Sequence, residues 1–437
     1  MIKKLVLVFI ALSAIQGYAQ QGTASPYSFY GIGSLKFKGT VENRSMGGLS
    51  IYTDSIHINL RNPASYATPN LESPLFNGES RPIKYTVGGS QSSLNLKSSS
   101  SSDKAKSTTF DYIAVSIPIG KFGFGFGLMP YTSVGYKLES VNSEGVLLNR
   151  FKGEGGLNKV YFGLGYLVTK GLSIGINADY NFGNIQNSTV EYVYDIDGIP
   201  LLNQSRENNR SDLSGINLNV GLTYKTMLKD KYEFVSGITY TPKSDLTSNN
   251  ERSFSTITIS SSTGQEFVSN TANSDLEASG LKQTNLTLPS KFSIGAGIGK
   301  PLKWFVGTEY TAEQTSKFFN PLYTSTTTAY EDASTISLGG FYIPQYNSFT
   351  RYFKRVVYRA GLHYSKTGLI INNESIKEFG MSFGLGLPVG NVFSNANLGV
   401  EIGKRGTTNS NLIQENFVNF QLSLSLNDRW FQKRKYD

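Results

Sequence analysis

The chain has 437 residues, no cysteine and a mean hydropathy of -0.23, with 41 Lys and Arg against 32 Asp and Glu for a formal charge of +9. Without cysteine there are no disulfides, no thiolate metal sites and no lipid-anchored cysteine after a leader. The positive charge is scattered, without a basic stripe interleaved with aromatics, so nucleic acid is not an expected partner.

Taken from the N-terminus, Lys3 and Lys4, an apolar run over residues 5–15 and the small-residue site Gly17-Tyr18-Ala19 read as a signal peptide spanning residues 1–19. The run is shorter than the roughly 20 apolar residues a helical span requires. No later stretch reaches that length, so an exported chain without a helical span is expected.

Residues 20–81 alternate poorly and carry Gly, Pro and short apolar pieces, among them Ser45-Met46-Gly47-Gly48 and Asn62-Pro63-Ala64. From residue 82 to 428 the pattern changes. Val418, Phe420, Leu422, Leu424 and Leu426 alternate with Asn419, Gln421, Ser423, Ser425 and Asn427, and similar runs occupy residues 172–183 and 216–224. Successive strand residues point to opposite faces, so these strands have one apolar and one polar face. Long strands of this kind, with Gly and polar residues opposite the apolar face, are the pattern of a transmembrane β-barrel, whose average hydropathy looks soluble. A soluble sandwich or propeller also alternates, but its packed core does not accept runs such as Gly123, Gly125 and Gly127.

Tight connections at Gly120-Lys121, Lys170-Gly171, Lys229-Asp230, Lys300-Pro301 and Gly390-Asn391 mark one end. Polar segments over residues 97–107, 140–156, 185–212, 247–283 and 316–333 mark the other. Up-and-down order between them predicts an all-β fold, an antiparallel transmembrane barrel of about fourteen strands. A barrel of that size has a lumen wider than its own side chains fill. Residues 20–81 are therefore expected inside as an N-terminal luminal plug or hatch. Residues 429–437, with Arg429, Lys433, Arg434 and Lys435, form a C-terminal tail expected on the periplasmic side, as are both termini.

No enzyme is expected. The two histidines, His57 and His363, have no nucleophile motif around them, and no Cys/His metal spacing occurs, so neither cofactor nor metal is predicted. The glycine-rich stretches lie at strand period and read as lumen space, not as a phosphate cradle.

Ser45-Met46-Gly47-Gly48 followed by Asn62-Pro63-Ala64 resembles the N-terminal hatch of FadL/TodX-type outer-membrane transport barrels. The resemblance implies fourteen strands, passage of hydrophobic small molecules, and a kink in the third strand that opens the wall sideways. It assigns Met46, Gly47, Gly48, Asn62, Pro63 and Ala64 to the hatch. It assigns Met129, Pro130 and Tyr131 to the lateral opening, where proline cannot donate to a ladder. Pro118, Pro242 and Pro388, at strand ends, carry no such implication.

The C-terminal third, including Phe341-Tyr342-Ile343-Pro344, Tyr358-Arg359-Ala360-Gly361, Arg405-Gly406-Thr407 and Trp430-Phe431, is similar to FadL-like barrels of Bacteroidota. That group includes the PorV-type and plug barrels of type IX secretion. Two roles follow from the resemblance. One is passive uptake of a hydrophobic small-molecule cargo, released sideways into outer-membrane lipid. The other is an accessory or plug subunit of a giant secretion-translocon barrel. Outer loops rich in Ser, Thr and Asn count against an apolar capture site, Phe318-Phe319 and Pro321-Leu322-Tyr323 excepted.

Overall fold

A computed structural model of the chain describes residues 22–54, 56–67, 82–260, 262–321, 328–389 and 394–428. The expected signal peptide, residues 68–81, Gly390-Asn391 and the expected C-terminal tail with Trp430-Phe431 lie outside the described residues.

Fourteen antiparallel strands close into a barrel. They are β1 (Ile83–Lys97), β2 (Ser102–Ile119), β3 (Phe122–Pro130 continuing as Thr132–Val141), β4 (Leu147–Thr169) and β5 (Leu172–Glu191). Next come β6 (Asn203–Leu228), β7 (Tyr232–Thr241 continuing as Ser244–Ile259) and β8 (Gln283–Leu288 continuing as Lys291–Lys300). The last are β9 (Trp304–Glu313), β10 (Ala333–Tyr342), β11 (Val357–Ile371), β12 (Glu374–Val389), β13 (Ser394–Arg405) and β14 (Gln414–Asp428). Each pairs with its neighbours in order, and β1 pairs β14 from Ile83↔Asp428 to Lys97↔Gln414, which closes the ring. Closure pairs the first strand with the last, so neither is left as a terminal edge of the sheet.

The wall is inside-out relative to a soluble protein. On β14, Phe420 and Leu422 are about half exposed while Gln421 and Ser423 are buried. Ile216 and Leu218 likewise face outward on β6, and Asn217 and Asn219 are buried. An apolar exterior over a polar interior is stable only with hydrocarbon around it, so the barrel spans a membrane.

Each divided strand breaks beside a proline: Pro130, Pro242 and Pro289. At the latter two the ladder continues, because the outer pieces of β7 and β8 pair with each other from Ser244↔Leu288. At Pro130 it does not.

The polar segments at the long-loop end correct the expectation of loops. Residues 147–156, 203–212 and 247–259 are strand, and Glu266–Asn273 adds a further one against β7. Beyond the hydrocarbon there is no apolar face to write into the sequence, while the backbone ladder runs on regardless. Periodicity therefore ends before the strands do.

Residues 22–54 and 56–67 lie against the inward faces of the strands and are mostly buried. Here they fold as the short strand Ser34–Leu35, one helical turn at Val41–Arg44 and 3-10 turns at Pro26–Phe29 and Pro63–Tyr66. The inward glycines are therefore not empty space. They form a laterally paired belt, with Gly125↔Gly163, Gly175↔Gly221, Gly237↔Gly295, Gly307↔Gly339 and Gly384↔Gly399. The N-terminal segment occupies the room they leave.

Candidate functional site

Asn62-Pro63-Ala64 is a small capped turn. Asn62 has extended backbone, its Oδ1 accepts from the Ala64 N–H at 3.0 Å, and Pro63 supplies the pre-set first residue of the 3-10 turn. The Asn62 amide also donates to the Leu222 carbonyl at 3.0 Å and to Thr223 Oγ1 at 3.1 Å on β6. Side chains at Gly175 or Gly221 would collide with Pro63 or Asn62, and side chains at Gly125 or Gly163 with the Tyr66 ring.

Met46, Gly47 and Gly48 sit across the lumen. Gly47 and Gly48 both have positive φ, 70° and 88°, which a Cβ would strain. The Gly47 N–H donates to Ser382 Oγ at 2.9 Å on β12. Side chains at Gly339 or Gly361 would meet the backbone of Met46. The two sequence motifs thus rest on opposite arcs of one glycine belt.

Ion pairs join the segment to the wall. Arg44 Nε lies 2.8 Å from Glu401, Arg61 Nη2 2.7 Å from Glu309, and Lys38 Nζ 3.6 Å from Asp179, which Lys159 also approaches at 2.8 Å. Burial and the Lys159 ammonium push the Lys38 ammonium down to about 7, against the pull of Asp179. Burial likewise pushes Lys36 down to about 8. Lys38, Arg44 and Arg61 are each separated from their wall carboxylate by more than a hundred residues, and no local pattern announces them. Both histidines join charged clusters: His57 Nδ1 is 2.7 Å from Asp54, and His363 Nε2 is 3.1 Å from Glu378.

The ladder between β2 and β3 ends partway along the third strand. The first piece of β3 pairs with β2 from Ile113↔Leu128 to Ile119↔Phe122. Above that level Ser102–Tyr112 of β2 pair with β1 and, among the described residues, with no strand on their other side. The second piece of β3 pairs with β4, and its free edge takes Ser34–Leu35 through Ser34↔Ser133 and Leu35↔Thr132. Proline removes the donor that would carry the β2 ladder past Pro130. Asp111 is the extra residue of a bulge opposite Gly88 and Gly89, and it accepts from Ser90 and Thr109 hydroxyls at 2.9 Å each.

Of the three residues assigned to a lateral opening, Pro130 borders cavities of about 120 and 280 Å³, and Met129 and Tyr131 also line the second. Met129 is turned into a luminal cluster with Ile58, Leu60, Tyr66, Tyr112 and Tyr161. Tyr131 sits at the break, its N–H donating to the Leu157 carbonyl at 2.7 Å and its ring 4.6 Å from Lys159 Nζ. Both cavities are also lined by Lys36, Phe37, Arg44, Glu378, Glu401 and Arg405. At the long-loop side an apolar layer of Val134, Leu157, Ile185, Leu213 and Leu246 packs on Ile32, with Phe318 beside it.

A family model described as BamG matches residues 1–437. The chain belongs to the BamG family. Among solved structures this BamG-family chain is similar to the toluene transporter TodX of Pseudomonas putida, at 15% identity over 92% of this chain and 100% of that one, with a TM-score of 0.58. The toluene transporter TbuX of Ralstonia pickettii is similar at 16% identity over 89% and 98%, with a TM-score of 0.58. A FadL homologue of Pseudomonas aeruginosa is similar at 11% identity over 91% and 99%, with a TM-score of 0.56. At such identities the likeness shows a shared FadL-type fold. No curated sequence matches the chain.

Proposed function

We propose that this chain is an outer-membrane barrel that passes hydrophobic small molecules and releases them sideways between β2 and β3. The observation that carries the reading is the unpaired edge of β2 beside Pro130, which borders two cavities. A hydrophobic solute cannot cross a polar leaflet surface readily. A gap in the wall lets it leave into hydrocarbon without traversing the far aqueous side. In this reading the long-loop end faces outward and the termini lie on the periplasmic side. Residues 20–81 act as a luminal hatch, seated through Met46, Gly47, Gly48, Asn62, Pro63 and Ala64. The fold shared with toluene transporters supports the solute class.

The test is solute flux into proteoliposomes containing Pro130→Ala. Restoring the donor is expected to extend the ladder and abolish flux. Flux that survives in a barrel shown to be closed sinks the proposal.

A second reading, an interaction subunit without small cargo, draws on one observation: Lys38, Arg44 and Arg61 tie the segment to three wall carboxylates. A segment so held suits a closed barrel. Type IX secretion is one setting for that role, and a pull-down from gently solubilised membranes decides it. Stoichiometric recovery with a very large barrel favours this reading; recovery alone favours transport.

A further inference from the structure

On the lipid-facing wall, the row Val306, Gly340, Ala360, Phe383 and Val400 is laterally paired across β9 to β13. Gly340 and Ala360 make a low floor in it. Leu338 and Leu362 rise on one side, and the pair Tyr342↔Tyr358 on the other. The result is an apolar groove of about 1000 Å³ in the outer surface. Gly340 has to be small because the Phe305 carbonyl occupies the place of its Cβ. Nothing comparable restricts Ala360, which is exposed.

At its short-turn end the groove meets a connection unlike the others there. Residues 343–356 join β10 to β11 and carry Arg351, Lys354 and Arg355 with no acidic residue. Phe349 is 98% and Phe353 75% exposed, an arrangement that water alone does not favour. The loop is folded onto the outer wall, since Tyr358 Oη donates to the Phe353 carbonyl at 3.2 Å and Tyr352 Oη to the Pro388 carbonyl at 3.0 Å. Arg355 lies 5.4 Å from the Tyr352 ring, and its Nε is buried without a hydrogen-bond partner among the described residues. The adjacent turn adds Lys300 and Lys303.

We infer that this face is a binding site for one anionic glycerophospholipid of the leaflet at the short-turn side. An acyl chain lies over Gly340 and Ala360, Tyr342 and Tyr358 flank the glycerol region, and Lys354 and Arg355 take the phosphate. The order along the wall is that of a lipid: hydrocarbon floor, then aromatic band, then cations. A second barrel would bury the groove equally well, but it would not call for a cluster of cations without carboxylates at one end of it.

The experiment is native mass spectrometry of the purified full chain, titrated with phosphatidylglycerol or phosphatidylcholine. The wild type is expected to retain one phosphatidylglycerol at concentrations where phosphatidylcholine is lost. Ala360→Phe, which fills the groove, and the double variant Lys354→Gln with Arg355→Gln are each expected to weaken retention at least about tenfold. Lys170→Gln, in another turn, is expected to leave retention unchanged. Heat-modifiable gel migration verifies that each barrel is folded, and Ala360→Leu replaces Ala360→Phe should the larger side chain prevent folding. Equal retention of both lipids overturns the inference. So does retention that ignores the groove variants, or a chain dimer that Ala360→Phe splits.

Discussion

The ring of Tyr66 occupies the space that a side chain on Gly163 would need. Tyr66 belongs to the capped turn that begins at Asn62, and Gly163 to the inward face of β4. The glycine belt is thus a mould for a particular segment, and its residues are small for a reason that lies some hundred positions away in the chain. Gly163→Val is expected to cost about 1–3 kcal/mol by overpacking. It should also loosen residues 22–67 more than the wall. Hydrogen exchange that rises in the segment while the strands stay protected supports this; uniform loss of protection contradicts it.

Asn62 does two things at once, capping the turn and tying it to β6. Asn62→Ala is expected to lower stability by about 1–2 kcal/mol through the lost cap. Asn62→Asp keeps the cap acceptor but loses the donation to Leu222, and should fall between the two. Thermal unfolding of the three proteins in one detergent gives the order directly.

Arg61 and Glu309 form a nearly dry pair, and Glu309 also accepts from the Ser50 N–H at 2.7 Å. Glu309→Gln leaves a guanidinium poorly compensated and is expected to cost about 3–5 kcal/mol. Combining it with Arg61→Met should recover part of the loss. A double variant no more stable than Glu309→Gln alone contradicts this.

Lys38 gives the seating a pH dependence. A lysine whose pKa is lower when folded costs stability wherever it is charged when unfolded. Its folded value is about 7 against 10.5 ordinarily, so the cost is complete below about 7 and disappears as pH rises past 10.5. Lys38→Met is therefore expected to raise Tm most near about pH 6, the gain shrinking toward about pH 10. Calorimetry across that range is the check, and a gain independent of pH contradicts the assignment.

The wall was legible because a lipid-facing strand writes its orientation into alternate residues, as β14 does from Val418 to Asn427. Proline chemistry alone did not single out Pro130, since strands also break beside Pro242 and Pro289 while their ladder continues. The outer strand extensions were not legible, since Arg206, Asn208 and Arg210 on β6 have no hydrocarbon to face. Nor were the ion pairs: nothing near Arg61 specifies Glu309, and only closure of the ring and entry of the segment bring them together.

Lateral release is tested most directly by a reversible staple between the N-terminal segment and the second piece of β3. Ser34 and Ser133 are register partners, and the chain has no cysteine of its own, so Ser34→Cys with Ser133→Cys supplies the only thiol pair. Flux of a small aromatic hydrocarbon into proteoliposomes is measured with the staple oxidised and then reduced. If solute leaves through the gap beside Pro130 as the segment moves, the oxidised protein is closed and reduction restores flux. Equal flux in both states, with the staple verified by mass, would contradict the account.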